Sequence, residues 1–264
     1  MHEGLLAGRA ALITGAAEGI GRGMALRFAK AGGAVLVVDF NAEKGAATTE
    51  ELRSIGAKAE FFQCDVTQRP QMEAAVAACV DRLGSIDILV NNAYRGGQIT
   101  RIEKKSDEEF DQSMAICLYA AKWSMEAALP HMKAQRWGRI INMCSLNGTN
   151  AHMGTADYNV GKEALRTYTR SAAREWAPYG ICANIICPGA ATAGFLTFKK
   201  MQPEVAAASE AANPMGRLGD PETDIGGVAL FLASEDARYL TGNTLHVGGG
   251  SHINGVAWNP DLGD

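Results

Sequence analysis

The stretch that decides the fold is AALITGAAEGIG, residues 10–21, in which a short apolar run leads directly into three spaced glycines. The run Ala10–Thr14 has the length and character of a strand buried on both faces of a parallel sheet. Gly15, Gly19 and Gly21 come next, and apolar residues at helical spacing follow them. Strand, glycine turn and helix in this order are the context that a dinucleotide-binding fingerprint requires.

The glycine turn predicts a site for a pyrophosphate. Glycines let the backbone approach the phosphates, and the helix that begins there offers free amides and the positive end of its dipole. The spacing is Gly-x-x-x-Gly-x-Gly, and a turn that only tightens a strand–helix connection is the alternative. We expect cofactor contacts from Gly15, Glu18, Gly19, Ile20 and Gly21.

Asp39 ends the next apolar run, Ala34–Val38, and lies eighteen residues after Gly21. A carboxylate at about this separation accepts hydrogen bonds from the adenosine ribose hydroxyls, although a helix N-cap or turn residue is the other interpretation. Asp39 would repel a 2′-phosphate, Glu18 adds a second negative charge, and no arginine follows Asp39. The sequence therefore predicts NAD rather than NADP.

Tyr158 and Lys162 lie four residues apart, and Ser145 lies thirteen residues before the tyrosine. Residues at i and i+4 share a helix face, so we expect the phenol and the ammonium side by side. A nearby cation lowers the pKa of a tyrosine, which makes the phenol a usable general acid/base. Such pairs also occur as simple neighbours on helix surfaces, so the rest of the chain has to decide.

Segments of strand and helix character alternate along the chain. Five further strands are predicted at Ala59–Gln63, Ile86–Val90, Arg139–Cys144, Ile181–Cys187 and Thr244–Val247. Helices are predicted at Ala42–Ile55, Met72–Leu83, Asp107–Gln135, Thr155–Ala177 and Asp224–Ala233. This alternation predicts an α/β Rossmann fold, a doubly wound parallel sheet of about seven strands with helices on both faces. Ligands then bind beyond the carboxyl ends of the strands.

The whole chain has the composition of a globular protein, and its hydrophobic fraction of 47% supports a large core. No linker, low-complexity tract or repeat divides it, so we expect residues 1–264 to form a single domain. The net charge of −4 gives no reason to expect nucleic acid or a membrane as partner, and no run is long enough to span a bilayer. The six cysteines lack metal or disulfide spacing, which favours free thiols in the cytoplasm and no metal site.

Together these motifs resemble the short-chain dehydrogenase/reductase family, from about Leu6 to Gly250. The glycine turn matches its cofactor motif, and Asn91-Asn92-Ala93 matches its Asn-Asn-Ala-Gly motif. Ser145, Tyr158 and Lys162 match its catalytic serine, tyrosine and lysine in order and spacing. The resemblance implies further cofactor contacts from Asp65, Val66, Asn91, Ala93, Tyr158, Lys162, Pro188, Gly189 and Thr192.

By this resemblance the chain is an NAD-dependent oxidoreductase that interconverts a secondary alcohol and a ketone. Tyr158 exchanges a proton with the substrate oxygen, Ser145 hydrogen-bonds the same oxygen, and Lys162 holds the ribose hydroxyls. Reduction of a 3-oxoacyl thioester is one alternative, although that role usually uses NADPH. A dinucleotide-binding protein with weakened catalysis is another.

Two positions depart from the family pattern. Tyr94 stands where the family has glycine, and it either reshapes the pocket beside the nicotinamide or packs against Met153 or the following loop. Cys117 stands where the family has an asparagine that holds a water on a proton relay to the lysine. A thiol is a poor donor and acceptor, so either another group holds this water or proton exchange is slower. Simple packing of Cys117 in its helix is the other interpretation.

The substrate site is expected around an insertion at about residues 190–216, ahead of a C-terminal tail at about residues 251–264. Its predicted wall is apolar and suits a hydrophobic alcohol or ketone, with Tyr94, Leu146, Met153, Phe195 and Phe198 as lining residues. A lid helix that packs on its own domain is the alternative. The family resemblance also implies a homotetramer joined through the predicted helices Asp107–Gln135 and Thr155–Ala177, whose apolar residues include Met114, Ala121, Met125, Leu165 and Tyr168.

Overall fold

The computed structural model describes residues 4–191, residue 195 and residues 199–253. Within them, seven strands form one sheet: β1 (Ala10–Thr14), β2 (Ala34–Asp39), β3 (Ala59–Gln63), β4 (Ile88–Asn91), β5 (Gly138–Met143), β6 (Ile181–Pro188) and β7 (Thr244–Val247). The strand order is β3-β2-β1-β4-β5-β6-β7, and every neighbouring pair is parallel. The predicted doubly wound parallel sheet is confirmed.

Helices connect these strands on both faces of the sheet. They are α1 (Gly19–Lys30), α2 (Ala42–Ser54), α3 (Arg69–Leu83), α4 (Asp107–Met114), α5 (Ala120–Gln135), α6 (Leu146–Thr149), α7 (Ala156–Trp176), α8 (Pro203–Ala211) and α9 (Gly226–Ala233). Where one predicted helix corresponds to one observed helix, its predicted ends lie within three residues of the observed ends. Helix α3 starts at Arg69 rather than Met72, because a proline in its first turn fits the backbone there.

One predicted helix differs in kind. The segment predicted as a single helix at Asp107–Gln135 contains a π-helical turn, Ala115–Tyr119, between α4 and α5. The start of α4 is fixed by a capping box, in which the Ser106 hydroxyl accepts from the Glu109 amide and the Glu109 carboxylate accepts from the Ser106 amide. A second π-helical turn, Pro221–Ile225, precedes α9. The spacing of apolar residues does not distinguish a single π-helical turn from an α-helical turn, so the sequence predicted neither of the two π-helical turns.

Two hydrophobic clusters cover the two faces of the sheet. One lies under α1 and α9 and includes Met24, Phe28 and Leu230; the other lies under α3, α5 and α7. Phe28 is completely buried, and burial of a side chain of this size contributes about 1.5–3 kcal/mol. With both faces covered, the carboxyl edge of the sheet is left as the place where polar side chains collect.

All six cysteines are buried free thiols. Burial raises the pKa of Cys64 and Cys79 to about 12 and that of Cys187 to about 11. Among the described residues, no helix is both long and apolar enough to cross a membrane. The same residues contain no group of three or more metal-binding side chains.

Candidate active site

The glycine turn after β1 is held in a conformation that side chains would obstruct. Gly15 has a positive φ of 64°, and a Cβ at Gly21 would lie 2.1 Å from the Gly15 carbonyl oxygen. The Asn92 amide donates to the carbonyl oxygens of Thr14 and Gly15, at 2.9 and 3.1 Å. The sequence indicates Asn92 only as a member of a motif, and its hydrogen bonds to the turn were not predicted.

The N-terminus of α1 is open to a ligand. Its N-cap residue, Glu18, makes no side-chain capping hydrogen bond, so the first-turn amides keep their donors. A Cβ at Gly19, which has a φ of 57°, would meet nothing within 4 Å. Glycines, free amides and open space fit a pyrophosphate.

Asp39 is oriented by two backbone amides at the end of β2. Its Oδ2 accepts from Ala17 at 3.0 Å and its Oδ1 from Asn41 at 2.9 Å. Glu18 follows Ala17 in the turn and pairs with Lys44 at 2.7 Å. The carboxylates of Asp39 and Glu18 therefore lie where a cofactor ribose is expected. The cation next to them, Lys44, is already paired with Glu18.

The side chains of Asp65 and Asn91 are used within the protein. Asp65 accepts from the backbone amide and hydroxyl of Thr67. Asn91 donates to Asn142 at 2.8 Å and accepts from Ser124 at 2.7 Å, in a buried network that joins β4, β5 and α5. Val66 and Ala93 are partly buried and offer only backbone and apolar atoms to a ligand.

Ser145, Tyr158 and Lys162 converge beyond the ends of β5 and β6. Ser145 is the N-cap of α6, and its hydroxyl accepts from the Asn147 amide at 3.1 Å. Lys162 is 3% exposed, and its Nζ donates to the Met143 carbonyl oxygen at 2.7 Å. The same Nζ lies 5.7 Å from the Tyr158 ring centroid. One turn of α7 thus places the phenol and the ammonium together, as the i, i+4 spacing predicts.

The net pKa shift of Tyr158 is opposite to the expected direction. Burial raises the pKa of Tyr158, while the charge of Lys162 and a hydrogen bond with Ser145 lower it, and burial outweighs both. Lys162 therefore lowers the pKa of Tyr158, as predicted, but by less than burial raises it. Burial disfavours the charged form of Lys162, but electrostatic interactions with neighbouring side chains, among them Tyr158, raise its pKa above the ordinary value. The lysine accordingly stays positively charged beside the phenol.

Tyr94 packs directly against Tyr158. Their ring centroids are 4.5 Å apart at an interplanar angle of 48°, a tilted arrangement that aromatic rings favour. The Lys162 Nζ lies 5.5 Å from the Tyr94 centroid, and the Tyr94 hydroxyl accepts from the Gly97 amide at 3.3 Å. The contact with Tyr158 fits a reshaped pocket wall, and the hydrogen bond from Gly97 fits packing against the following loop, so Tyr94 has features of both interpretations.

The other predicted pocket residues are placed only in part. Leu146 in α6 is partly buried, Met153 is half exposed, and Phe195 is a partly buried helical residue. Phe198 and Thr192 lie outside the described residues. Pro188 ends β6, and the amide of Gly189 donates to Val247 at 2.8 Å, which holds this segment at the carboxyl edge.

Cys117 lies buried in the π-helical turn between α4 and α5. Its sulfur is 4.0 Å from the Ser113 hydroxyl, and a Cβ at Gly161 would lie 3.0 Å from the Cys117 Cβ. Cys117, Asn91 and Lys162 line a cavity of about 10 Å³, which is at the lower limit for one water. The helix has thus closed around the thiol, and little room is left for a relay water at this point.

The chain resembles known enzymes along nearly its whole length. A family model described as Enoyl-(Acyl carrier protein) reductase matches residues 15–252. The chain is 37% identical to the 2,5-dichloro-2,5-cyclohexadiene-1,4-diol dehydrogenase LinX of Sphingobium indicum, over 93% of this chain and 96% of that protein. It is 35% identical to the 12alpha-hydroxysteroid dehydrogenase of a Clostridium species (94% and 98%) and 36% identical to the 3-oxoacyl-[acyl-carrier-protein] reductase FabG of Vibrio cholerae (94% and 99%).

Solved structures agree with the fold. Levodione reductase superposes with a TM-score of 0.88 at 31% identity, covering 94% of this chain and 98% of that one. NAD+-bound xylitol dehydrogenase superposes with a TM-score of 0.87 at 31% identity, covering 93% and 99%. The chain belongs to the short-chain dehydrogenase/reductase family. It is an oxidoreductase that acts on CH–OH groups with a nicotinamide dinucleotide.

Proposed function

We propose that this protein is an NAD-dependent dehydrogenase that interconverts a hydrophobic secondary alcohol and its ketone, with Tyr158 as general acid/base. The observation that carries the proposal is that a buried ammonium and a hydroxyl act on one phenol. The Lys162 Nζ lies 5.7 Å from the Tyr158 ring centroid, and the Ser145 hydroxyl is close enough to the phenol to lower its pKa against the larger effect of burial. Neighbours on an ordinary helix surface are solvated and lack this third group.

Each residue has one chemical task in this proposal. Bound NAD supplies hydride transfer. Tyr158 takes the alcohol proton during oxidation and returns it during reduction, while Ser145 donates a hydrogen bond to the substrate oxygen. Lys162 keeps a positive charge beside the phenol. Because burial raises the pKa of Tyr158, alcohol oxidation, which needs the phenolate, speeds up as pH rises, whereas ketone reduction is favoured at lower pH.

NAD fits the proposed cofactor site better than NADP. The glycine turn and the uncapped start of α1 suit the pyrophosphate. Asp39 is held by two backbone amides and retains lone pairs for ribose hydroxyls. A 2′-phosphate would meet Asp39 and Glu18, and the nearby cation Lys44 is already paired with Glu18. We propose Pro188 and Gly189 at the nicotinamide end, by family resemblance.

A ring-bearing hydrophobic alcohol is the proposed substrate class. Tyr94, which packs on Tyr158, and Met153 are 41% and 50% exposed, and we propose that the partly buried Leu146 and Phe195 belong to the same apolar wall. The names of two relatives, a cyclohexadienediol dehydrogenase and a hydroxysteroid dehydrogenase, contain ring alcohols. An apolar wall with a few polar groups at one end suits such molecules.

We also propose that the chain forms a single domain and that four copies associate as a homotetramer. The proposed location is the cytoplasm. Of the apolar residues on the proposed contact helices, Ala121, Met125 and Leu165 are buried within the chain itself and are not available to a partner. Tyr119 and Val160 are 43% and 48% exposed on the same helices and are better candidates. A tetrameric mass in light scattering at micromolar concentration is expected, and a monomeric mass would contradict it.

The test is a panel of secondary alcohols, including cyclohexanol and linear 2-alkanols, assayed with NAD and with NADP by the absorbance of the reduced cofactor. We expect turnover with NAD and the highest kcat/KM on ring alcohols. Turnover of acetoacetyl-CoA with NADPH alone would instead support a 3-oxoacyl thioester reductase, the activity that the FabG relative is named for. NADH binding without turnover of any substrate would indicate a cofactor-binding protein.

A further inference from the structure

Lys105 is an ammonium whose side chain is covered by neighbouring residues, although the residue as a whole is partly exposed. Its side chain has no exposed surface. Its Nζ donates to the Gln98 carbonyl oxygen and lies 3.0 Å from both the Glu109 Oε1 and the Asp157 Oδ1. An ammonium has three protons, and these three oxygens use all of them.

The three partners of Lys105 belong to three different segments. Gln98 lies in the connection of residues 92–101, between β4 and α4, which has no regular secondary structure. Glu109 is in α4, and Asp157 is in α7, one residue before Tyr158. A buried ion pair gives little net stability relative to apolar packing. Three partners on three segments fix how those segments lie relative to one another.

Further contacts fasten residues 92–101 to the first turn of α7 and to the residues just before it. The amide of Thr100 donates to the Gly154 carbonyl oxygen at 3.1 Å. A Cβ at Gly97 would lie 3.1 Å from the Asp157 Oδ2, so Gly97 approaches Asp157 closely. The Gly97 amide in turn donates to the hydroxyl of Tyr94, whose ring packs on Tyr158. A continuous chain of contacts therefore runs from Lys105 to the reacting phenol.

We propose that Lys105 is a positioning residue: it fastens residues 92–101 to α7 and so holds the Tyr94 ring against Tyr158 as a fixed wall of the substrate site. Because this inference takes Tyr158 as the proton-exchanging group, it deepens the function proposed above. Lys105 contacts neither the substrate nor the cofactor in this role. Its effect is expected on substrate binding, through Tyr94, and not on cofactor binding.

The experiment compares Lys105→Met with the control variant Lys30→Met. Lys30 also pairs with a glutamate, Glu222, but is 49% exposed and lies in α1, at the amino-terminal edge of the sheet. Hydrogen–deuterium exchange follows the amides of residues 92–101. We expect Lys105→Met to speed their exchange about tenfold, because local opening becomes easier, and Lys30→Met to leave it unchanged.

Kinetics with cyclohexanol, or the panel alcohol turned over fastest, provide the second readout. Lys105→Met is expected to raise KM about fivefold with a smaller change in kcat, while NADH affinity stays within about twofold of wild type. The same change is then made in a Tyr94→Ala background. If Lys105 acts through Tyr94, its effect on KM disappears there, because the two substitutions are coupled.

Two results would overturn the inference: unchanged exchange of residues 92–101, or an equal KM effect in both backgrounds. If Lys105→Met does not fold, the double variant Lys105→Met/Asp157→Leu also removes the more deeply buried of the two carboxylates. The remaining carboxylate, Glu109, is partly exposed and keeps its hydrogen bond from the Ser106 amide. This double variant is held to the same two criteria. The exchange readout does not require turnover. A wild type that is inactive on every alcohol would therefore overturn the proposed function, while the exchange result would still decide whether Lys105 fastens this segment.

Discussion

The two sides of the candidate site are built by different means. On the cofactor side, the backbone sets the shape: Gly15 has a positive φ, Gly21 leaves no room for a Cβ, and backbone amides orient Asp39. On the substrate side, Tyr94 belongs to a connection without regular structure that a buried lysine fastens. A motif of a few adjacent residues encodes the glycine turn of the first side, to which Asp39 and Asn92 are added from the ends of other strands. Contacts between distant segments make the second side.

Tyr158 lies where the two sides meet, and its loss is expected to have the largest effect on turnover. Tyr158→Phe removes only the hydroxyl, so the rate should fall about 10²–10⁴-fold, with NADH binding nearly intact. The control is Tyr168→Phe, which deletes the hydroxyl of another partly buried tyrosine in α7. Retention of more than about a tenth of the wild-type rate would remove Tyr158 from its proposed role.

Gly21→Ala tests whether the cofactor side tolerates any side chain. Its Cβ would lie 2.1 Å from the Gly15 carbonyl oxygen, so the turn or α1 must shift. We expect NADH affinity to fall by about tenfold or more, the equivalent of about 1.4 kcal/mol. In the control, Gly227→Ala, the added Cβ meets nothing within 4 Å in α9. Equal NADH affinity in the two variants, measured by fluorescence titration, would show that the turn is not so constrained.

The cofactor preference should depend on charge at the end of β2. Asp39→Ser combined with Phe40→Arg removes a repulsive carboxylate and adds a cation at an exposed position, since Phe40 is 68% exposed. The ratio of kcat/KM for NAD to that for NADP is expected to fall by about tenfold or more, because arginine pairs well with phosphate. Phe40→Arg alone is the control and should shift the ratio less. A wild type with equal kcat/KM for both cofactors would contradict the role of Asp39.

Tyr94→Ala probes the substrate side alone. Aromatic pairs contribute about 0.5–1.5 kcal/mol beyond buried area, so loss of the wall should raise KM by roughly twofold to tenfold. NADH affinity should stay unchanged, because the glycine turn and Asp39 are not touched. Tyr239→Ala, at a fully exposed tyrosine, serves as control. An effect on NADH binding as large as that on KM would mean that the two sides are not independent.

The smallest effect on turnover is expected from Cys117→Asn. The cavity beside the thiol is about 10 Å³, so a larger polar side chain should destabilise the helix by about 1–3 kcal/mol and give no rise in kcat. Thermal unfolding and solvent-deuterium effects on kcat test this. A higher kcat with a smaller deuterium effect would instead show that the missing asparagine limits proton exchange through Lys162.

The difference between the two sides also explains what the sequence could predict. Strands and the glycine turn follow from local patterns, and β3 and β7 have the predicted ends. The spacing of Tyr158 and Lys162 predicted their proximity. The opposing effect of burial on the Tyr158 pKa was not predicted, because it depends on residues from several elements. The contacts of Lys105 were not predicted, because a lysine is expected to be solvent-exposed. Its partners are also far from one another in the sequence: Gln98, Glu109 and Asp157.

The buried thiols give this protein an internal reporter of its own unfolding. A thiol reacts with alkylating reagents as the thiolate, and burial both shields Cys64, Cys79 and Cys187 and raises their pKa values to between about 11 and 12. At neutral pH, these thiols are therefore labelled only when the surrounding structure unfolds. Cys64 and Cys79 lie beside β3 and in α3, and Cys187 is in β6 on the far side of the sheet. Their relative labelling rates would show which half of the sheet opens first.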